Sequence, residues 1–556
     1  MAVAALVACG GGGGSGDGSG DGSPGGGSTP APAPINKTDA FRFLNQGTYG
    51  ASEAEVQRLI ALGDSATGYE RWIDGQIAQP ASLQLPTVQA AFANLANPVL
   101  IGTLNADRQE IWFRNSIGAP DQLRQRVAFA LSQIMVVSQQ SALLNMPYAL
   151  ADYYDMLART AFGDFRQLMQ DVTLHPAMGV YLNMLGNQKP DEANNIRPDE
   201  NYARELLQLF TVGLVELNAD GTVRTGADGV PLPTYDQSVI EGYANVFTGW
   251  NYAGAPSFAL ARRTLANQIV SMQAYPEQHS PLAKRLLQYP GAAKPNLPAG
   301  QTPQQDLADA LDNIFNHPNV APFISKQLIQ KLVTSNPSPA YVGRVAAKFN
   351  NDGAGKRGNL AAVVKAILLD AEARPATVSA TTGKVKEPLL RLTQLWRAYG
   401  AQAANGQYRV GNINAVFGQG PLQSPSVFNF FSPFYAPPGE IADQGLVAPE
   451  LQIATEYLNT TVTNTFYNLI FFWNSTVPGL PANAVVMDFS QETALAADSE
   501  ALVNRIAEKL LGGTISPTLK AEAKAAVERV PAASAGQRVS EAMYLIATSP
   551  EYVVQR

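Results

Sequence analysis

Residues 198–210 read PDENYARELLQLF. The spacing predicts a helix. Pro198 suits a first helical turn, and Asp199 and Glu200 then lie beside the unpaired N–H groups of that turn. Glu200 and Arg204 are four apart, as are Asn201 and Glu205, so each pair shares a helix face. Leu206, Leu207, Leu209 and Phe210 supply the side to be buried. The same letters also suit a carboxylate cluster, and Glu205 carries that choice. It sits among leucines, where a carboxylate must be paired, ligate a metal or be neutral.

Helical spacing continues on both sides. Ser52 precedes EAEVQRLIALG as an N-cap, and Gly63 ends that segment. DQLRQRVAFALSQIMVVS, 121–138, places apolar residues at 123, 127, 130, 131, 134 and 137. Helices are expected again at 303–317, 320–333, 338–351, 358–372, 385–400 and 447–473, and from 497 onward. Thr234 and Gln237 are spaced as a capping box. One β signal interrupts: two Asp-Gly pairs and alternating apolar residues predict a small hairpin or ribbon near 219–234. DVTLHPAMGVYLN and NIFNHPNVAPFIS echo each other as helix, His-Pro, helix. The expected fold is mainly α: one large multi-helix body, 35–556, with a small β-hairpin, preceded by a disordered tether.

The chain has 556 residues, 46% of them hydrophobic and 15% charged, with a net charge of −7. That balance argues against a nucleic-acid partner. Its longest apolar runs, AVVKAILL and YNLIFFW, fall short of the roughly 20 residues that span a bilayer. With one cysteine no intramolecular disulfide can form. That residue, Cys9, ends Leu6-Val7-Ala8-Cys9, which has the shape of a lipobox closing a secretory signal. Residues 1–9 are read as the remnant of that signal, with a start upstream or a trimmed chain expected because no charged segment precedes it. Residues 10–34 are nearly all Gly, Ser, Asp, Pro and Ala, a composition that cannot bury a core. Lipid on Cys9, flexible linker and globular body make a coherent plan. Gly10 after the cysteine favours the outer membrane, on its periplasmic or cell-surface face.

Candidate chemistry is sparse. The chain has three histidines, His175, His279 and His317. His175, Glu200 and Glu205 could form a polar pocket, with a divalent metal held by those three, while Arg204 grips an anionic substrate group. Yet no HxxxH, HxxE or HxH spacing occurs. His175 and His317 each precede proline, as at a helix–helix junction, and His279 reads as a loop residue. GxSxG, P-loop and cysteine-nucleophile patterns are missing. Asn201 and Tyr202 of the helical motif are candidate binding residues. LQSPSVFNFFSPFYAPPGE, 422–440, gathers aromatics among prolines, and Phe430, Phe431 and Tyr435 are the candidates there for a platform that meets a polymer.

Taken together, LRQRVAFALSQIMVVS, LARTAFGDFRQLMQDVTLHPAMGVYLN, PDENYARELLQLFTVGLVELNADG, YDQSVIEGYANVFTGW, HPNVAPFISKQLIQKLV and SPEYVVQR resemble, in this order, the bacterial family called domain of unknown function 1800. The resemblance runs from about Phe41 to Arg556. The family's central motif is Asn-Glu-Asn-Tyr-Ala-Arg-Glu-Leu; Glu200, Asn201, Tyr202, Arg204 and Glu205 match it, and Asp199 replaces the first Asn. The resemblance implies export, no established reaction, and an exported partner from a sulfatase-like family, domain of unknown function 1501. Two expectations follow. The chain is a surface-anchored lipoprotein that binds an extracellular polymer or that partner, or it is a hydrolase built on the His/carboxylate group.

Overall fold

The helix Gln122–Ser132 is buried along its whole length. Leu123, Val127, Ala130 and Leu131 give it an apolar side, as their spacing predicts. Its polar residues are buried as well, because each finds a partner. Arg124 donates to the carbonyls of Ile77, Gln79 and Ala158, and Arg126 to that of Lys331. A guanidinium fork can satisfy several carbonyls without a carboxylate. The helix stops at Ser132, so residues 134–137 leave it while staying buried.

In this computed structural model residues 33–379 and 381–556 are described. Cys9 and most of the 10–34 segment lie outside them. Around the central helix pack Gly68–Ile77, Asn105–Gly118, Pro147–Thr160 and Val320–Leu332, and Pro388–Ala398 packs on Asn105–Gly118. An outer set includes Pro303–Phe315, Pro339–Asn350 and Leu360–Leu369, and the chain closes with Ser499–Leu511, Pro517–Arg529 and Ala535–Thr548. One contiguous apolar core runs from Ile35 to Tyr552. The fold is mainly α. Among the described residues no helix is long and apolar enough to cross a membrane.

Local chemistry explains the boundaries. Ser52 and Glu55 form a capping box, as do Thr302 and Gln305. At Gln237–Val246 the cap is Asp236, not Thr234, whose hydroxyl donates instead to the Gly213 carbonyl. The Asp side chain reaches two N–H groups there, which the threonine, two residues earlier, does not. The β signal becomes a three-pass ribbon: Val215 bridges Pro233, Leu217 bridges Val223, and Thr225 bridges Pro231. Gly221 and Gly229, at φ +77° and +79°, make its two turns. Four more antiparallel pairs, two residues to a strand, clip loops together. One joins Lys384–Val385 to Val554–Gln555, so the last residues of the chain are tied to the core.

Candidate functional site

The motif helix starts later than its composition suggests. Regular helix runs Asn201–Glu205, with Glu200 at the cap position and Pro198 and Asp199 outside it. The Asp199 carboxylate accepts the Asn201 N–H, and its backbone is fixed by Asn187. From Leu206 to Thr211 the helix widens to π geometry, a device found often at functional sites. Gly213 ends it at φ +76°, where a Cβ would meet the Phe323 ring at 2.9 Å. The widened turn delivers Gln208 and Leu209 to the wall of a cleft described below.

The predicted site residues do not converge. Arg204 pairs with Glu200 at 2.9 Å, and Gln237 donates to the same carboxylate. This network is partly exposed, and such pairs contribute about 0.2–1 kcal/mol. Tyr202 is a core residue: its hydroxyl meets Thr173 at 2.6 Å and its ring meets Phe247 edge-on. His175 turns to other partners, with Nε2 3.4 Å from Asp152 and its ring edge-on to Tyr153. Against the cost of burial, His175 and Arg159 hold the Asp152 carboxyl below its ordinary range. The His175 Nδ1 accepts the Ala177 N–H, and the His317 Nδ1 accepts the Asn319 N–H. At His175 this contact caps the helix Pro176–Tyr181, whose first residue is proline, whereas at His317 it closes a turn and the helix starts later, at Val320. No hydrogen bond or ion pair joins His175 to Glu200, Arg204 or Glu205. Among the described residues no group of three or more His, Cys, Asp or Glu side chains is arranged to hold a metal ion.

Glu205 is only 7% exposed, and no hydrogen bond reaches its buried Oε2. Neither Arg124 nor Arg126 turns toward it. Burial raises its pKa, with Arg204 working the other way. The phenols of Tyr181 and Tyr235 are pushed up to about 12, mostly by burial, with the Glu205 charge adding to it. His279 lies in a loop, as its sequence suggests, but not at the surface. It is buried, with Nε2 2.8 Å from Asp306 and Nδ1 2.9 Å from the Thr248 carbonyl, and Lys284 completes the group 2.6 Å from the same carboxylate. Sequence offered no signal for this, since its members lie far apart on a loop and a helix.

The aromatic segment is pinned from below by donors from earlier in the chain. Arg108 donates to the Pro421 carbonyl, Gln140 to Gln423, Ser138 to Ser424 and Gln330 to Pro433. Two bends need left-handed backbone, Leu422 at φ 53° and Asn429 at φ 66°; asparagine tolerates that conformation and leucine is strained in it. Phe430 and Phe431 therefore point inward and cannot form the exposed platform expected of them, and Tyr435 is half-buried. The exposed rings are Phe428 and Phe434, 57% and 64% accessible.

These rings border a cavity of ≈ 390 Å³ whose walls include Leu214 and Val223 of the ribbon, Phe323 of the helix Val320–Leu332, and Phe431. Volumes of about 300–1,000 Å³ are usual for small-molecule sites. A second cavity, ≈ 590 Å³ and rich in Ser and Thr, adjoins it through shared Lys326, Gln330, Pro433 and Phe434. Lys331 lines the first cavity. Its Nζ donates to Gln133 at 2.9 Å and lies 4.1 Å from the centre of the Phe431 ring. Burial pushes its pKa down to about 8, with Glu387 opposing. Behind it, Lys384 is 2.9 Å from Glu450 and 3.8 Å from Glu387, which also accepts from Gln133 and Gln419. Of the polar residues on this helix face, Lys326 and Gln327 are half-buried and Gln330 and Lys331 buried.

The chain matches the family described as "Protein of unknown function (DUF1800)" over residues 42–554. No curated protein and no solved structure matches it. A match over nearly the whole chain places this protein in the DUF1800 family.

Proposed function

We propose that the chain is an exported bacterial lipoprotein, anchored through Cys9 in the outer membrane, that binds a ligand in the cleft on either side of Phe434. The observation that carries the binding reading is the pair of adjoining cavities, one apolar and one rich in hydroxyls, meeting beneath an exposed aromatic ring. Exposed apolar surface concentrated at a concave site is the usual mark of a recognition surface. An extracellular polymer could lie along both arms, and an exported sulfatase-like partner would meet the same aromatic loop.

The test is saturable binding of Nile red, an uncharged apolar dye, to the full chain. One site per chain is expected, weakened about tenfold, or 1.4 kcal/mol, when Phe428 and Phe434 are both changed to alanine. Binding that ignores these changes rejects the cleft. For the anchor, labelling cells with an alkyne fatty acid should tag the wild type and not Cys9→Ala. A sulfatase-like partner that binds the double variant undiminished is excluded from the cleft.

A second reading has one observation in its favour. Glu205 is a buried, unpaired carboxyl whose raised pKa suits a general acid. Hydrolysis of chromogenic phosphate, sulfate or glycoside esters by the wild type and not by Glu205→Gln would establish it. Activity kept in the variant would remove it.

A further inference from the structure

We infer that the occupant of the apolar arm is an anionic amphiphile, an acyl chain ending in a carboxylate, with its head against Lys331 and Lys326. This rests on the binding reading above and names the ligand class of the same cleft.

The charge around the cleft carries the inference. The residues lining the ≈ 390 Å³ cavity include two lysines, several amides and no Asp or Glu. That is unusual on a chain whose net charge is −7. Lys331 is 4% exposed, and no carboxylate lies within ion-pair distance of its Nζ among the described residues. The buried group behind it is unbalanced. Arg126, Lys331 and Lys384 face only Glu387 and Glu450. Lys384 takes both carboxylates at its own Nζ, and Arg126 donates one N–H to a carbonyl while its Nε and Nη1 have no partner. Three cations thus face two carboxylates, and of the two cations without an ion pair Lys331 is the one at the cavity wall. A buried charge without a counter-ion is costly, so an entering anion would be held there strongly. Lys326 lies five residues earlier on the same helix, and Gln327 adds a buried Nε2 without a partner. These donors suit carboxylate oxygens. Leu214, Val223, Phe323 and Phe428 give the wall the carbon surface that an acyl chain requires.

The experiment titrates the full chain with dodecanoate, with dodecanol as the uncharged match, and with vesicles of phosphatidylglycerol, following Nile red displacement and heat. Dodecanoate is expected to bind once per chain and to displace the dye, at least about tenfold more tightly than dodecanol. Lys326→Gln should narrow that ratio and Lys331→Gln should abolish it. Circular dichroism checks that each variant is folded; if Lys331→Gln is not, Lys326→Gln decides. Equal binding of dodecanol and dodecanoate, or a ratio unchanged in the folded variants, overturns the proposal and leaves the cleft as an apolar site. Binding to vesicles without binding of monomeric dodecanoate also overturns it, in favour of a membrane surface. If neither dodecanoate nor Nile red binds, the binding reading fails with it.

Discussion

Glu205 and His175 show how single residues take their roles from what surrounds them. Glu205 sits in a helix of leucines with its Oε2 sealed from any partner. Its folded pKa is raised above the ordinary 4.5 by burial. The folded state therefore holds the proton more tightly than the unfolded chain. The resulting stability is complete below the unfolded pKa and is lost as pH rises through the folded one. Glu205→Gln, which cannot ionise, should be more stable than the wild type in urea at neutral pH, and that advantage should shrink toward about pH 4. A variant less stable at neutral pH would mean that the carboxylate has a compensating partner. At His175 the ring caps the next helix, so His175→Ala should cost about 1 kcal/mol, within the usual 0.5–2 for a lost cap. His175→Asn should recover much of it. Neither should change Nile red affinity, since the ring lies outside the cleft; a changed affinity would give His175 a role that its capping contact does not explain.

At the scale of elements, buried charge joins segments that apolar packing alone would leave loose. His279, Lys284 and Asp306 tie the irregular segment after Thr248 to the helix Pro303–Phe315. Asp306→Ala would leave Lys284 buried without its counter-ion, and breaking such a group costs about 3–5 kcal/mol. Urea denaturation should show that loss, and Lys284→Met in the same chain should restore part of it. An Asp306→Ala chain as stable as the wild type would show that water already reaches the lysine. The helix Val320–Leu332 works in both directions. Ile324, Leu328, Ile329 and Leu332 face the core, while Phe323, Lys326, Gln327 and Lys331 face the cleft. Period 3.6 accounts for that division. What it hid was the loop that folds over the polar face and buries Lys331.

Across the whole molecule, the two ends of the body close on each other. Arg42 donates to the carbonyl of Arg556, Thr38 to that of Gly512, and Gln555 to that of Leu332. Lys384, inside the charge group, is paired in register with Gln555. Deleting residues 550–556 should therefore disturb the cleft as well as the terminus, with a thermal midpoint lower by several degrees and weaker dye binding, where about 1 kcal/mol in a large domain shifts the midpoint by 2–4 °C. Dye affinity unchanged in the shortened chain would show the charge group to be independent of that strand pair. The sequence by itself determined the mainly helical class, most helix positions, the ribbon with its Asp-Gly turns and the family motif. These rest on local rules of spacing, capping and turn chemistry. Tertiary structure alone decided that His175 belongs to Asp152 rather than to Glu200 and Glu205. It also set Phe430 and Phe431 inward and Phe428 and Phe434 outward, and it left Lys331 as a spare cation at a cavity wall. Each of these depends on which distant segments meet, and on how much water their meeting removes from a charge or a ring.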